Sequence, residues 1–136
     1  MPTPGPDPGA ARDARRALGA RGEARAAAHL ERRGYRILAR NVRAGGVELD
    51  LVARRGALVV FVEVKTRRGS RHGAPVEAVD AHKQARLARG AAAWLHAERA
   101  GLARGCRRAR FDVVACVEHA DGHHSIAHWP GAFDAP

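Results

Sequence analysis

Residues 57–66 read ALVVFVEVKT, an alternating pattern that places Val59, Phe61, Glu63 and Lys65 on one face of a strand and Val60, Val62 and Val64 on the other. Just upstream, residues 47–54 read VELDLVAR, in which Val47, Leu49 and Leu51 alternate with Glu48, Asp50 and Val52. Arg55 and Gly56 supply a short turn, so the two strands form an antiparallel hairpin that sets Asp50 across from the Glu63 region. Residues 12–33 are alanine-rich, free of proline and followed by Gly34, which predicts a helix. At about 3.6 residues per turn, Glu23 falls in line with Gly19, Ala26, Ala27 and Leu30 on the small, apolar side. Arg21, Arg25, His29 and Arg32 or Arg33 make a basic stripe on the opposite side. Asp80 reads as the N-cap of a second helix, which runs to about Ala97 and has Val79, Leu87, Ala91, Trp94 and Leu95 on its apolar face. Residues 111–117, FDVVACV, read as a buried strand; Asp121 and Gly122 mark a turn, and residues 125–129 return as a last strand. Helix, three strands, helix, strand, strand describes an α/β fold with a mixed central sheet flanked by helices.

Charge sharpens this picture. Lys and Arg number 24 against 14 acids, a formal net charge of +10, which draws such a chain to polyanions. Lysine occurs only at Lys65 and Lys83. Arg67, Arg68 and Arg71 follow the Glu63 strand, and Arg104, Arg107, Arg108 and Arg110 precede the next; solvated basic loops are the plain alternative to phosphate contact for both groups. The Glu-x-Lys triplet alone fits an ordinary solvated strand face. An acid on a largely apolar face, however, needs a cation near it, because burying an unpaired carboxylate is costly. Glu23 poses the same question on the packing side of its helix, where pairing with a neighbouring arginine is the plain answer.

At 136 residues the chain suits a single domain over residues 12–136, preceded by a disordered Pro/Gly-rich leader at residues 1–11. No apolar stretch has signal-peptide or membrane length, which predicts a cytoplasmic protein without membrane association. Cys106 and Cys116 are not in zinc spacing and read as reduced thiols rather than a disulfide. His119, His123, His124 and His128 read as exposed loop histidines rather than a metal site. Asp112 either pairs with a basic residue near the acids or simply begins its strand.

Glu23, Asp50 and Glu63-Val64-Lys65 together resemble the PD-(D/E)XK nuclease signature. More closely, the chain is similar to the YraN family of small bacterial proteins, related to archaeal Holliday junction resolvases. The matching strings are Gly22-Glu23 with Ala27 and Leu30, Gly34-Tyr35-Arg36-Ile37-Leu38, Asn41-Val42-Arg43, Glu48-Leu49-Asp50-Leu51 and Phe61-Val62-Glu63-Val64-Lys65. Others are Ala78-Val79, Lys83-Gln84, Arg110-Phe111-Asp112-Val113-Val114 and Ala132-Phe133. Val47 departs from the pattern, standing where a glycine is expected.

The resemblance implies a restriction endonuclease-like core and a metal-dependent endonuclease acting on DNA, by analogy at branched structures. Phosphodiester hydrolysis requires a metal held by carboxylates, and Mg²⁺ (or Mn²⁺) is satisfied by few protein oxygens. Asp50 and Glu63 would be its ligands, with the Val64 carbonyl as a third and Glu23 completing the shell directly or through water. Lys65 would orient or deprotonate the attacking water or steady charge on the phosphorane, and Gln84 would hydrogen-bond the nucleophile or the backbone. Arg21, Arg25, Arg43, Arg67, Arg68 and Lys83 are the candidate nucleic-acid contacts. Junction resolvases work as dimers, which leaves a homodimer open. The alternative is a non-catalytic nucleic-acid-binding module of the same fold, serving DNA repair, recombination or uptake.

Overall fold

A computed structural model describes residues 2–5, 7–69 and 79–134. The order is α1 (Pro8–Arg32), β1 (Arg36–Ala44), β2 (Val47–Arg55), β3 (Leu58–Arg68), α2 (Ala81–Ala97), β4 (Arg108–Glu118) and β5 (His124–Phe133). The five strands form one sheet in the order β1-β2-β3-β4-β5, as expected for a mixed sheet flanked by helices. Only β3 and β4 run parallel, and α2 lies in the crossover between them.

The first helix begins four residues earlier than expected. Asp7 caps it by accepting a hydrogen bond from the Gly9 N–H at 3.0 Å, and Pro8 tolerates the first position because no N–H is needed there. Residues 8–11, assigned to the leader, are therefore the first turn of α1. The second helix starts where expected: the Asp80 carboxylate accepts from the Lys83 N–H at 2.8 Å.

Each face of the sheet carries its own core. Val59, Phe61, Val113 and Phe111 pack with Leu87, Ala91 and Trp94 of α2. Val60, Val62 and Val114 pack with Ala26, Ala27 and Leu30 of α1. The alternation read along β3 is thus the observed one. Along β2 it slips: Val47, Leu49 and Val52 belong to the α2 side, whereas Leu51 and Ala53 belong to the α1 side. Leu49 and Leu51, which strict alternation places together, face opposite cores, and the break falls at Asp50. Asn41, between the pairs Arg40↔Leu51 and Val42↔Leu49, lies across from Asp50 and has φ +48°, a left-handed conformation that asparagine tolerates better than most residues.

Beyond this break the sheet forks. Pairing of β2 with β3 ends at Leu51↔Val62, while β3 runs on to Arg68 beside β4 alone. The arm holding the β1–β2 turn bends onto α2, where Val47, only 4% exposed, meets Gly90; a β-carbon at Gly90 would lie 3.0 Å from that of Val47. Valine at this position thus serves packing against α2. On the other arm, α1 sits close on β3 because residue 22 is glycine. A β-carbon there would overlap Thr66 Oγ1 and stand 2.7 Å from its Cγ2.

Candidate active site at the fork of the sheet

Where β2 leaves β3, the Val64 N–H has no strand to bond and donates to Asp50 Oδ2 at 2.9 Å. The N–H and C=O of one strand residue point to the same side, so the Val64 carbonyl also faces the fork. Glu63, its side chain 10% exposed, meets two ammonium groups through one oxygen: Lys83 Nζ lies 2.5 Å and Lys65 Nζ 3.4 Å from Oε1. Lys65 comes from β3 itself, and Lys83 from the first turn of α2, set by the Asp80 cap. An open groove of about 200 Å³ lies over these groups, lined by Val47, Glu48, Asp50, Glu63, Lys83, Arg86 and Leu87.

The electrostatics follow from crowding like charges in a half-buried place. Burial first, then the charges of Glu63 and Glu23, push the Asp50 carboxyl up to about 7, against the opposing pull of the Val64 N–H and Lys83. Burial, together with the adjacent Lys83, lowers the Lys65 ammonium from its ordinary value in spite of Glu63. Lys83 is also disfavoured by burial, but its bond to Glu63 and the neighbouring carboxylate charges outweigh this and raise it.

Glu23 reaches the fork from the α1 side. Its Oε2 accepts from Asn41 Nδ2 at 2.9 Å, so its partner is the left-handed asparagine opposite Asp50, not an arginine of its own helix. Among the described residues, no three His, Cys, Asp or Glu side chains converge closely enough to hold a metal ion. A cation in the fork would therefore take the carboxylates of Asp50 and Glu63 and the Val64 carbonyl. This donor set fits the oxygen preference of a divalent ion that keeps most of its waters. Its fit is also electrostatic, since a dication would offset the burial and the like-charge repulsion that raise the Asp50 carboxyl.

The remaining expected residues divide. Gln84 donates through Nε2 to the Val79 carbonyl at 2.9 Å, so it fixes the entry to α2. Lys83, read as a phosphate contact, belongs to the acidic pair. Arg43 donates to the Gly46 carbonyl within the β1–β2 turn. Arg21 and Arg25 do not form a stripe on the outer side of α1; they lean on Glu118 of β4, and His29 leans on His128 of β5. The helix lies along the sheet, so its contact arc is wider than the small-residue stripe. Arg67 and Arg68 are exposed at the end of β3. Arg71 lies outside the described residues.

Asp112 has a defined environment away from the fork. Completely buried, it accepts from Arg110 at 2.7 and 2.8 Å, from His128 Nε2 at 2.7 Å and from the Gly131 N–H at 3.0 Å. Burial opposes its charge, but the bonds from His128 and Arg110 prevail and hold its carboxyl below the usual range. His128 is therefore a buried partner of Asp112, not an exposed loop histidine. Both cysteines are free. Asn41 and Arg86 are the residues that sequence reasoning passed over; Asn41 lay inside a matched string, and Arg86 follows Lys83 at i+3 on α2.

A sequence model described as "Uncharacterised protein family UPF0102" matches residues 22–116. A UPF0102 protein of Syntrophotalea carbinolica is 50% identical over 120 residues, covering 88% of this chain and 94% of that one. Another from Symbiobacterium thermophilum is 51% identical over 107 residues, 79% of this chain and 87% of its own. A third, from Nitratidesulfovibrio vulgaris, is 47% identical over 122 residues, 90% and 87% respectively. The matched stretch includes Glu23, Asn41, Asp50, Glu63, Lys65 and Lys83. No helix among the described residues is long and apolar enough to cross a membrane.

Proposed function

The chain belongs to the uncharacterised protein family UPF0102, a name that carries no reaction, and for it we propose a divalent-metal-dependent endonuclease that hydrolyses DNA phosphodiesters. The observation that carries this reading is the pairing of Asp50 and Glu63 across the fork, with Asp50 pushed up to about 7 and two lysines beside Glu63. Carboxylates held together at such a cost call for a cation. The likeness of Glu23, Asp50 and Glu63-Val64-Lys65 to the PD-(D/E)XK signature supports the same reading.

Mg²⁺ or Mn²⁺ bound here supplies Lewis acidity to the phosphate and an acidified water. Asp50 and Glu63 would hold it, with the Val64 carbonyl facing the same space. Lys65, whose ammonium gives up its proton more readily than an ordinary lysine, is suited to receive the proton of the attacking water. Lys83 keeps its charge and is suited to face the phosphate oxygens, with Arg86 beside it on the groove wall. Glu23, anchored by Asn41, adds negative charge at the rim.

A second reading is a non-catalytic nucleic-acid-binding module serving DNA repair, recombination or uptake. It is favoured by the ammonium of Lys83 already neutralising Glu63. Labelled four-way junction, duplex and single-stranded DNA, incubated with Mg²⁺ or Mn²⁺ and with EDTA, separate the two. Metal-dependent cleavage abolished in Glu63→Gln is the expected result and shows the preferred structure. Binding of these DNAs without cleavage in either metal would sink the enzyme and leave the module.

A further inference from the structure

On the far side of α1 from the fork, two guanidinium groups meet one carboxylate, and a third arginine stands beside it on the neighbouring strand. Arg21 Nε donates to both oxygens of Glu118, at 3.2 and 3.0 Å. Arg25 Nη1 lies 3.6 Å from Glu118 Oε2; this nitrogen is shielded from solvent and has no hydrogen-bond partner among the described residues. Arg68 is the register partner of Glu118 across β3 and β4, and the Gly69 N–H donates to the Glu118 carbonyl at 3.0 Å. The bonds from Arg21, then the charges of Arg25 and Arg68, hold the Glu118 carboxyl below its usual range. One acid leaves this group strongly positive, and an open pocket of about 390 Å³ lies beside it, lined by Arg68, Gly69, Glu118, His119, Ala120 and Gly122.

Guanidinium groups clustered around a carboxylate present the same forked donors that recognise a phosphate. An N–H left without an acceptor in a shielded place is costly, so an oxyanion with more oxygens than Glu118 can offer is favoured there. We propose that Arg21, Arg25 and Arg68 form a phosphate-binding subsite for a nucleic-acid backbone, with Glu118 as the internal counter-ion that a phosphate displaces. This deepens the reading that the chain engages nucleic acid. Arg68 stands five residues beyond Glu63, about 17 Å along β3 at ~3.4 Å per residue. By alternation it shares the α1 side of the sheet with Val60, Val62 and Val64, whereas Glu63 lies on the α2 side with Val59 and Phe61, so the fork and the subsite engage different phosphates.

The test is binding of a fluorescein-labelled DNA duplex and single strand, followed by anisotropy in EDTA over a range of salt, with circular dichroism to check each variant's fold. Arg21→Gln/Arg25→Gln is expected to weaken binding about tenfold and to make the log–log salt dependence shallower by ~1–2. Arg104→Gln/Arg107→Gln, an equal loss of charge elsewhere on the surface, is expected to cost less than about a third of that factor. Glu118→Gln is expected to tighten binding several-fold beyond Glu31→Gln, which removes an acid farther along α1. Equal effects of the two arginine pairs, or no gain from Glu118→Gln over Glu31→Gln, would overturn the subsite while nucleic-acid binding stands. Should the double variant unfold, Arg68→Gln, exposed at the strand end, carries the same comparison against Arg104→Gln. A wild-type protein that binds neither DNA overturns both readings; one that binds through these arginines and never cleaves removes the nuclease alone.

Discussion

Asp50 shows how much one side chain's chemistry depends on what stands around it. A carboxyl whose folded value of about 7 exceeds its ordinary 3.8 costs the fold stability once it must ionise. The penalty is absent below pH ~4, grows as pH rises to ~7 and is constant above. Asp50→Asn keeps an acceptor for the Val64 N–H and removes the charge. In EDTA it is expected to be more stable than wild type by roughly 2–4 kcal/mol at pH 8 and no more stable at pH 4, as read from urea unfolding at both values. An equal or smaller stability at pH 8 would show that neither burial nor the neighbouring acids disfavour the ionised Asp50 carboxylate. Asp112 has the opposite sign: its carboxyl is held below the ordinary value, so it stabilises the fold above pH ~3.8 and loses this contribution as pH falls through its folded value. Asp112→Ala leaves Arg110 and the buried His128 without their acceptor and is expected to cost about 3–5 kcal/mol at neutral pH, with a flatter acid limb in a plot of Tm against pH. A loss under 1 kcal/mol would make the network incidental.

For the elements, the close seat of α1 on β3 determines whether Glu23 reaches the fork. In Gly22→Ala, helix propensity would add about 1 kcal/mol, but the new methyl overlaps Thr66, and overpacking of this kind costs about 1–3 kcal/mol. We expect a net loss of stability and, because α1 must lift from the sheet, a loss of the Glu23–Asn41 contact. Adding Thr66→Ala removes Oγ1 and Cγ2 and should restore much of the loss, a coupling measurable in a double-mutant cycle of Tm and urea unfolding. Simple additivity of the two changes would place the strain elsewhere. The caps act in the same way at a distance: Asp80 sets the first turn of α2, and with it the direction in which Lys83 leaves the helix.

Taken as a molecule, the chain carries a formal net charge of +10, and its attraction to polyanions should fall linearly in log–log form with salt, by about 0.9 per phosphate neutralised on duplex DNA. The existence and order of the elements were legible from local pattern: alternation along residues 58–64, the alanine-rich run before Gly34 and the Asp80 cap each depend on near neighbours, which a sequence displays directly. The acids Asp50 and Glu63 were legible too, because charged residues set in apolar strands stand out against their surroundings. The slip of alternation at Asp50, the place of Lys83 on Glu63, the bond from Asn41 to Glu23 and the meeting of Arg21 and Arg25 with Glu118 were not. Each joins residues far apart in the chain whose meeting follows from how the sheet forks and how closely α1 sits on it. A period of two or of 3.6 says which residues share a face, but carries no information about which faces meet or where a strand leaves its neighbour. That is settled by packing, through the fit of Gly22 over Thr66 and Val47 against Gly90, and it is there that two acids on a hairpin become a candidate site.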